Sequence, residues 1–245
     1  MRTLKLTLAY DGTKYAGWQV QAVRQATIQG TLQAALHRIL GEPVSVIGSG
    51  RTDAGVHAVG QVASCRVWSV TPCDRLQQAF NAVLPRDIVV TRLEEAPADF
   101  HARFHARSKR YRYRIATGPV VLPFDRRYVH HVPVALRLPL MRREASRLLG
   151  RHDLRPFHKA GRPVADTRRT ISFVRLARRG TLIECDIEAN GFLYGMMRSI
   201  VGTLLDIGRG RLPAGTMARI LKTQDRRLLG TAAPAKGLWL IEVKY

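Results

Sequence analysis

The order of strand-like and helix-like segments constrains the fold more than any other feature of the chain. Apolar residues alternate with polar ones over 4–10, the period of a half-buried strand. They recur at helical spacing over 28–40, and Gly41 ends that helix. Thr71 is typical of a helix N-cap, and Pro72 is typical of the first helical position. The first half is therefore predicted to have the order β-α-β-β-α-β, over 4–10, 28–40, 44–46, 61–67, 72–84 and 88–93.

The second half repeats this order. Tyr111, Tyr113 and Ile115 alternate with arginines in one predicted strand, and a hairpin turns at Arg179 and Gly180. A short helix is inserted before the last strand. The predicted elements are strands over 111–115, 171–176, 182–187 and 238–243, and helices over 138–149, 193–208 and 214–221.

These two halves define the expected architecture. The fold class is α+β, with two ferredoxin-like β-α-β-β-α-β units joined by their sheets and a cleft between them. We place the first domain at 1–105 and the second at 106–245. Segments 118–139 and 152–170 are rich in Pro and Arg, and we expect them to be irregular loops that face a nucleic acid.

The charge of the chain indicates its partner. Forty Lys and Arg against 18 Asp and Glu give a formal net charge of +22. A polyanion is the obvious ligand, because each phosphate that a basic side chain neutralises releases condensed counterions. A genome biased toward arginine would also spread positive charge, and the composition favours a nucleic-acid binder over that alternative.

Composition also bears on the compartment. The most apolar stretch, 192–207, carries Arg198 in its middle, which favours a core helix over a membrane span. The first residues lack the apolar run of a signal peptide. Cys65, Cys73 and Cys185 are far apart and form no C-x-x-C pair, so we expect a reducing cytoplasm rather than a disulfide framework or a zinc site.

A glycine-rich loop over 48–60 carries the clearest chemical signal. Asp53 lies in it between two predicted strands, where a rigid scaffold can present a side chain. Its small neighbours Ala54 and Gly55 leave room beside the carboxylate. Asp53 can be a nucleophile, and it can instead cap a turn, which is the commoner use of an isolated loop aspartate.

The segment from Arg51 to His57, with the sequence Arg-Thr-Asp-Ala-Gly-Val-His, resembles the signature of the TruA family of tRNA pseudouridine synthases. The fold that this resemblance implies is the pseudouridine synthase fold, two α/β units with joined sheets. The chain departs from the family at Gly195, where a histidine is often found. Further segments similar to the family, in the same order and spacing along the whole chain, are 10–19, 81–85, 100–104, 109–113, 198–202 and 237–240.

The resemblance also implies roles for three residues. Asp53 matches the catalytic aspartate, Arg198 the basic residue that pairs with it, and Tyr111 the tyrosine that packs on the target base. Members of the family are homodimeric isomerases that act on uridines of the tRNA anticodon arm without metal or organic cofactor. The residues around Arg198 are apolar, which favours a buried, partnered arginine over a helix-surface charge.

Such a reaction requires a uridine that is flipped out of its stack. An aromatic ring against the flipped base returns about 1–3 kcal/mol, which Tyr111 can supply unless it is an ordinary core tyrosine. We assign Arg51, Arg110, Arg112 and His57 to RNA binding. Arg51 is expected to enter the stack or to bind a phosphate, and a solvated loop arginine is the alternative.

Two other functions fit parts of the sequence. A non-catalytic RNA-binding protein or RNA chaperone with two RRM-like units would also have a basic, aromatic strand at 110–114. It would gain nothing from a carboxylate at position 53. A metal enzyme could use His101 and His105, but no acidic residue stands beside them at ligand spacing, so surface histidines are the favoured interpretation.

Overall fold

The computed structural model describes residues 1–22, 25–159 and 164–245. The chain forms two compact units, Met1–Arg107 together with Trp239–Tyr245, and Ser108–Leu238. The first boundary lies close to the predicted division between 105 and 106. The segment Trp239–Tyr245, which the sequence assigned to the second half, groups with the first unit. In the part of the chain that is described, no helix has the length and apolar character needed to cross a membrane.

The first unit has the predicted order β-α-β-β-α-β. Its sheet has the strand order β4-β1-β3, with β2 antiparallel to β3 and β10 parallel to β3. The alternation predicted for β1 is observed, because its leucines and Tyr10 are buried. The elements are β1 (Arg2–Tyr10), α1 (Ile28–Leu40), β2 (Val46–Gly48), β3 (His57–Val67), α2 (Cys73–Val83), β4 (Ile88–Ala96) and β10 (Leu238–Lys244).

The helix ends of this unit follow from local chemistry. The Thr27 side chain accepts a hydrogen bond from Gly30 N and caps α1, and Gly41 ends the helix at φ 71°. The prediction for α2 was wrong by one residue. Pro72 stands at the cap position, where its apolar ring cannot accept a hydrogen bond, and the Thr71 hydroxyl lies before the cap and accepts from Ser69 Oγ.

The second unit is also an α+β arrangement. Its sheet has the order β5-β9-β8-β7 with antiparallel neighbours, and β6 pairs with β5 in parallel. The hairpin of β8 and β9 turns at Gly180, as predicted. The elements are β5 (Ser108–Thr117), β6 (His130–Val132), α3 (Leu138–Ser146), β7 (Gly150–Asp153), β8 (Arg168–Arg179), β9 (Leu182–Ala189), α4 (Met196–Gly208) and α5 (Thr216–Thr223).

The two segments that we expected to be irregular contain short strands. β6 lies within 118–139 and β7 begins just before 152–170, so the prediction of continuous loops was wrong there. Strands of three and four residues are too short to show an alternating pattern in the sequence. Residues 160–163 of the second segment lie outside the described residues, and an RNA-facing role for both segments stays a prediction.

Candidate active site

Asp53 lies in the loop between β2 and β3, at the start of a tight turn. Its carbonyl oxygen accepts a hydrogen bond from Val56 N at 3.1 Å. Gly55 has φ 77°, which suits the third position of such a turn. The Asp53 side chain is half-buried, while its neighbour Ala54 is exposed. The turn therefore leaves Asp53 partly exposed at the protein surface.

The segment between β1 and α1 packs closely against this turn. Trp18 N donates to Thr52 O at 3.0 Å. A Cβ added at Gly12 would lie 2.0 Å from Val56 O, and one added at Gly17 would lie 2.6 Å from Thr52 O. Backbone is thus in direct contact with backbone on this side of the loop, which leaves Asp53 little freedom to shift.

A buried network of hydrogen bonds holds the backbone of the loop in place. The sequence did not predict this network. Tyr10 Oη and Thr52 Oγ1 are 2.9 Å apart. Gln61 Nε2 donates to Gly50 O at 2.9 Å, and Ser49 Oγ donates to Gln61 Oε1 at 2.7 Å. Burial raises the pKa of Tyr10 to about 12, so its hydroxyl stays protonated at neutral pH. The signal in the sequence was Gln61, a polar residue in a mostly apolar strand. In the structure it is wholly buried in β3.

His57 does not lie where we predicted. Its side chain is 0% exposed, and its ring stacks on Trp239 with centroids 4.5 Å apart. Its Nδ1 atom lies 3.1 Å from both Gly12 N and Asp11 Oδ1. The predicted RNA contact of His57 is therefore wrong for this structure, because a buried ring offers no surface to RNA. The residue instead ties the end of the loop to the segment after β1.

Arg51 lies on the surface next to the turn. Its side chain is exposed, and its Nε donates to Gln19 Oε1 at 3.0 Å. Gln19 is held in turn by Gln29, whose Oε1 accepts from Gln19 Nε2 at 2.7 Å. The Arg51 guanidinium thus has a polar support and remains accessible to a ligand.

In the second unit, Tyr111 lies on β5 opposite Ile187 of β9. Only 7% of its surface is exposed, and its ring meets Phe192 edge to face with centroids 4.7 Å apart. Tyr113, two residues further along the same side of β5, donates its hydroxyl to Pro234 O at 2.7 Å. Tyr111 is thus held in one orientation by packing.

Arg198 lies in the first turn of α4, a helix that is otherwise almost wholly buried. Its Nε donates to Ala233 O at 2.7 Å, and Ala233 N donates to Arg198 O at 2.9 Å. The arginine is partnered, as its apolar surroundings predicted, but it is half-buried and not buried. Gly195 precedes α4 at φ 71°, where an added Cβ would lie 3.0 Å from Lys159 Cβ. The backbone at this position, where we noted a departure from the family, therefore suits glycine.

The arginines of β5 form ion pairs within the sheet. Each lies beside an acidic residue of the neighbouring strand β9. Hydrogen bonding to Asp186 raises the pKa of Arg112. The assignment of Arg110 and Arg112 to RNA binding stays a prediction, and these ion pairs, which already compensate both charges, argue against a contact through charge alone. The ion pairs are Arg110–Glu188 at 2.7 Å, Arg112–Asp186 at 2.7 Å and Arg114–Glu184 at 3.7 Å.

Two predictions remain, the joint action of Asp53, Tyr111 and Arg198 and the absence of a metal site. Asp53 belongs to the first unit, and Tyr111 and Arg198 belong to the second. Their joint action on one uridine stays a prediction. Within the described residues, no group of three His, Cys, Asp or Glu side chains could hold a metal ion, and His101 and His105 are part of no such group.

Comparisons with known proteins agree with the resemblance seen in the sequence. A family model described as tRNA pseudouridine synthase matches residues 7–105 and 145–245. The tRNA pseudouridine synthase A of Acetivibrio thermocellus is 42% identical over 245 residues, covering 100% of both chains. That of Moorella thermoacetica is 45% identical over 246 residues, again covering 100% of both chains. The solved archaeal box H/ACA sRNP Nop10–Cbf5 complex has a TM-score of 0.38 at 11% identity, covering 83% of this chain and 44% of that chain, which is too weak to add to the assignment.

Proposed function

Because the chain belongs to the tRNA pseudouridine synthase family, we propose that it isomerises uridine to pseudouridine in the anticodon stem-loop of tRNA. The reaction breaks the bond between ribose C1′ and uracil N1 and joins C1′ to C5. The proton on C5 is lost and N1 gains one. The base must leave, turn and return, so it has to be flipped out of the helix and held in a pocket.

Asp53 is the nucleophile in this proposal. A carboxylate can attack covalently and divide one difficult step into two easier ones. Arg198 is its ionic partner and orients the carboxylate through charge-assisted hydrogen bonds. Tyr111 stacks on the flipped base and can assist the loss of the C5 proton. Arg51 binds a phosphate or fills the place of the flipped base in the stack.

The observation that carries the proposal is the support around Asp53. Gly12 and Gly17 bring backbone directly against the loop, and buried hydrogen bonds of Tyr10 and Gln61 hold it from below. A turn that served only to connect two strands would not need this support, and catalysis does need a fixed nucleophile. An RNA-binding protein without catalytic activity would not benefit from a carboxylate fixed near phosphates.

The test uses tRNA tritiated at uridine C5 and measures tritium released to water. We expect release by the wild type and a loss of at least about 10³-fold for Asp53→Asn, the scale on which removal of a nucleophile acts. The variant should melt within a few degrees of the wild type and bind tRNA as tightly. Tight tRNA binding by the wild type without release would favour the non-catalytic RNA-binding alternative.

The proposal extends to the assembly and the compartment. A homodimer is proposed from the family resemblance and from a short segment of the second unit, in which Val120, Leu122 and Phe124 are exposed by 77%, 62% and 84%. Grouped exposed apolar side chains are typical of protein contacts.

A cytoplasmic location is proposed because tRNA is there and because the cysteines are free thiols, which suits a reducing compartment.

A further inference from the structure

The segment from Phe100 to Arg107 has features that the roles proposed above do not explain. Phe104 is 73% exposed. A phenylalanine with most of its surface in water forgoes the free energy that burial would provide. Its neighbours Arg103, His105 and Arg107 are also exposed, so an aromatic ring stands among basic and imidazole side chains. This mixture is typical of surfaces that bind single-stranded nucleic acid.

The backbone that presents Phe104 is fixed. His101 Nδ1 accepts hydrogen bonds from the backbone N–H groups of Arg103 and Phe104, both at 3.2 Å. His105 N donates to His101 O at 3.1 Å, which closes one helical turn. The His101 ring thus caps the turn through its Nδ1 atom. An exposed side chain on a closed turn loses less entropy on binding than one on a free loop.

The turn is also anchored to the body of the first unit. Ala102 is fully buried. Its N–H donates to Ser64 Oγ at 3.1 Å, and its carbonyl accepts from Tyr245 Oη at 2.7 Å. These contacts lie on both sides of one residue, two positions before Phe104. The turn that carries Phe104 is therefore fixed to the first unit while most of the ring stays exposed.

The Phe104 ring is prepared for stacking. The His101 ring lies against it with centroids 4.3 Å apart and planes 30° apart. The Arg103 guanidinium lies 5.5 Å from the ring centroid. Since most of the side chain remains exposed, a further planar group can add to this stack, and the cation attracts a phosphate beside it.

We propose that Phe104, with His101 and Arg103, is a stacking platform for an unpaired base of the RNA substrate, separate from the residues that act on the target uridine. The ligand is a base that is free of its own stack, and the adjacent phosphate pairs with Arg103. This inference rests on the proposed function, because it assumes that the polyanion bound by this chain is RNA. It concerns affinity for the substrate and leaves the chemistry to Asp53.

The test compares the affinity of Phe104→Leu with that of the wild type for two ligands, full-length tRNA and a fully paired RNA duplex of equal length. We expect Phe104→Leu to bind tRNA about tenfold more weakly, the low end of the range for loss of one base–aromatic stack. Duplex binding should not change, because a paired base cannot stack on the ring. Phe104→Trp should bind tRNA as the wild type does.

The matched control is Trp68→Leu, which removes an aromatic ring of similar exposure, 69%, from the same unit. It should leave tRNA binding unchanged. Equal affinity of Phe104→Leu and wild type for tRNA, or an equal loss on the duplex, would overturn the proposal. So would a change in oligomeric state on substitution, which would identify the surface as a protein contact. Absence of both tRNA binding and tritium release in the wild type would instead refute the proposed function.

Discussion

At the scale of single residues, the position of Asp53 depends on two glycines, whose lack of a side chain leaves room for the loop. Gly12 and Gly17 allow the segment after β1 to approach the loop so closely that backbone meets backbone. Substitution of Gly12 is the cleaner probe, because its backbone does not require a positive φ. Any effect of a methyl group there is then steric rather than conformational.

We expect Gly12→Ala to lower turnover by about 10²-fold, the scale on which a displacement of about 1 Å in a catalytic group acts. The added Cβ would lie 2.0 Å from Val56 O, so the turn that starts at Asp53 must move. Single-turnover tritium release measures the effect, and thermal unfolding measures the cost in stability, about 1–3 kcal/mol.

Gly191→Ala is the control for this substitution. The Cβ there would lie 3.1 Å from Arg169 Nε, in a half-buried but flexible side chain and not in backbone, so a shift of a few tenths of an ångström relieves the contact. It should leave both turnover and melting temperature close to those of the wild type. Normal turnover by Gly12→Ala would mean that the close approach does not position Asp53.

What the sequence predicts at this scale depends on the range of the interactions. Asp53 and Arg51 are recognisable from one short segment, and both lie in the loop between β2 and β3, while their roles stay predictions. Tyr10, Thr52 and Gln61 meet across 42 and 51 positions of the chain, so their hydrogen bonds could not be found without the fold. His57 was misplaced because a buried histidine and an RNA-binding one look alike in a sequence.

At the scale of elements, periodicity predicted most of the strands and helices. It did not predict which residues of the neighbouring strand each side chain contacts. The alternation of β5 correctly separated Tyr111 and Tyr113 from the arginines. The acidic residues of β9 were also visible in the sequence, at the matching spacing. Their pairing with the arginines depends on the register of β5 and β9, in which Arg112 lies opposite Asp186. Register is set by the assembled sheet, not by either strand alone.

We expect Arg112→Gln to reduce stability and to leave the salt dependence of tRNA binding unchanged. Asp186 is 7% exposed, and loss of its partner leaves a mostly buried carboxylate with fewer hydrogen bonds. Because the Arg112 side chain is 34% exposed, solvent screens the pair, and the expected cost is about 1 kcal/mol, or about 2–4 °C in melting temperature.

Thermal unfolding and tRNA titrations at several salt concentrations measure the two effects of Arg112→Gln. Arg151→Gln on β7, an exposed arginine, is the control and should not change the melting temperature. A fall of about one in the slope of log affinity against log salt for Arg112→Gln would mean that this arginine binds a phosphate after all.

At the scale of the whole molecule, the net charge of +22 acts on two associations in opposite ways. It favours tRNA, whose counterions are released on binding, so added salt weakens that complex. It opposes a second copy of the chain, because two strongly positive bodies repel each other. A homodimer must therefore be held by apolar contacts, and added salt should strengthen it by screening the repulsion.

We accordingly expect the proposed dimer to dissociate less at about 0.5 M salt, where the Debye length is well below 10 Å, while tRNA affinity falls over the same range. Sedimentation at several protein concentrations measures the first effect and titration the second. Phe124→Asp should shift the protein toward monomer, because it places a charge among the exposed apolar residues of that segment. Val70→Asp is the control, since Val70 is 90% exposed in the first unit and should not affect assembly. Dissociation of the dimer by salt would mean that opposite charges hold the two copies together, and the apolar segment would then need another partner.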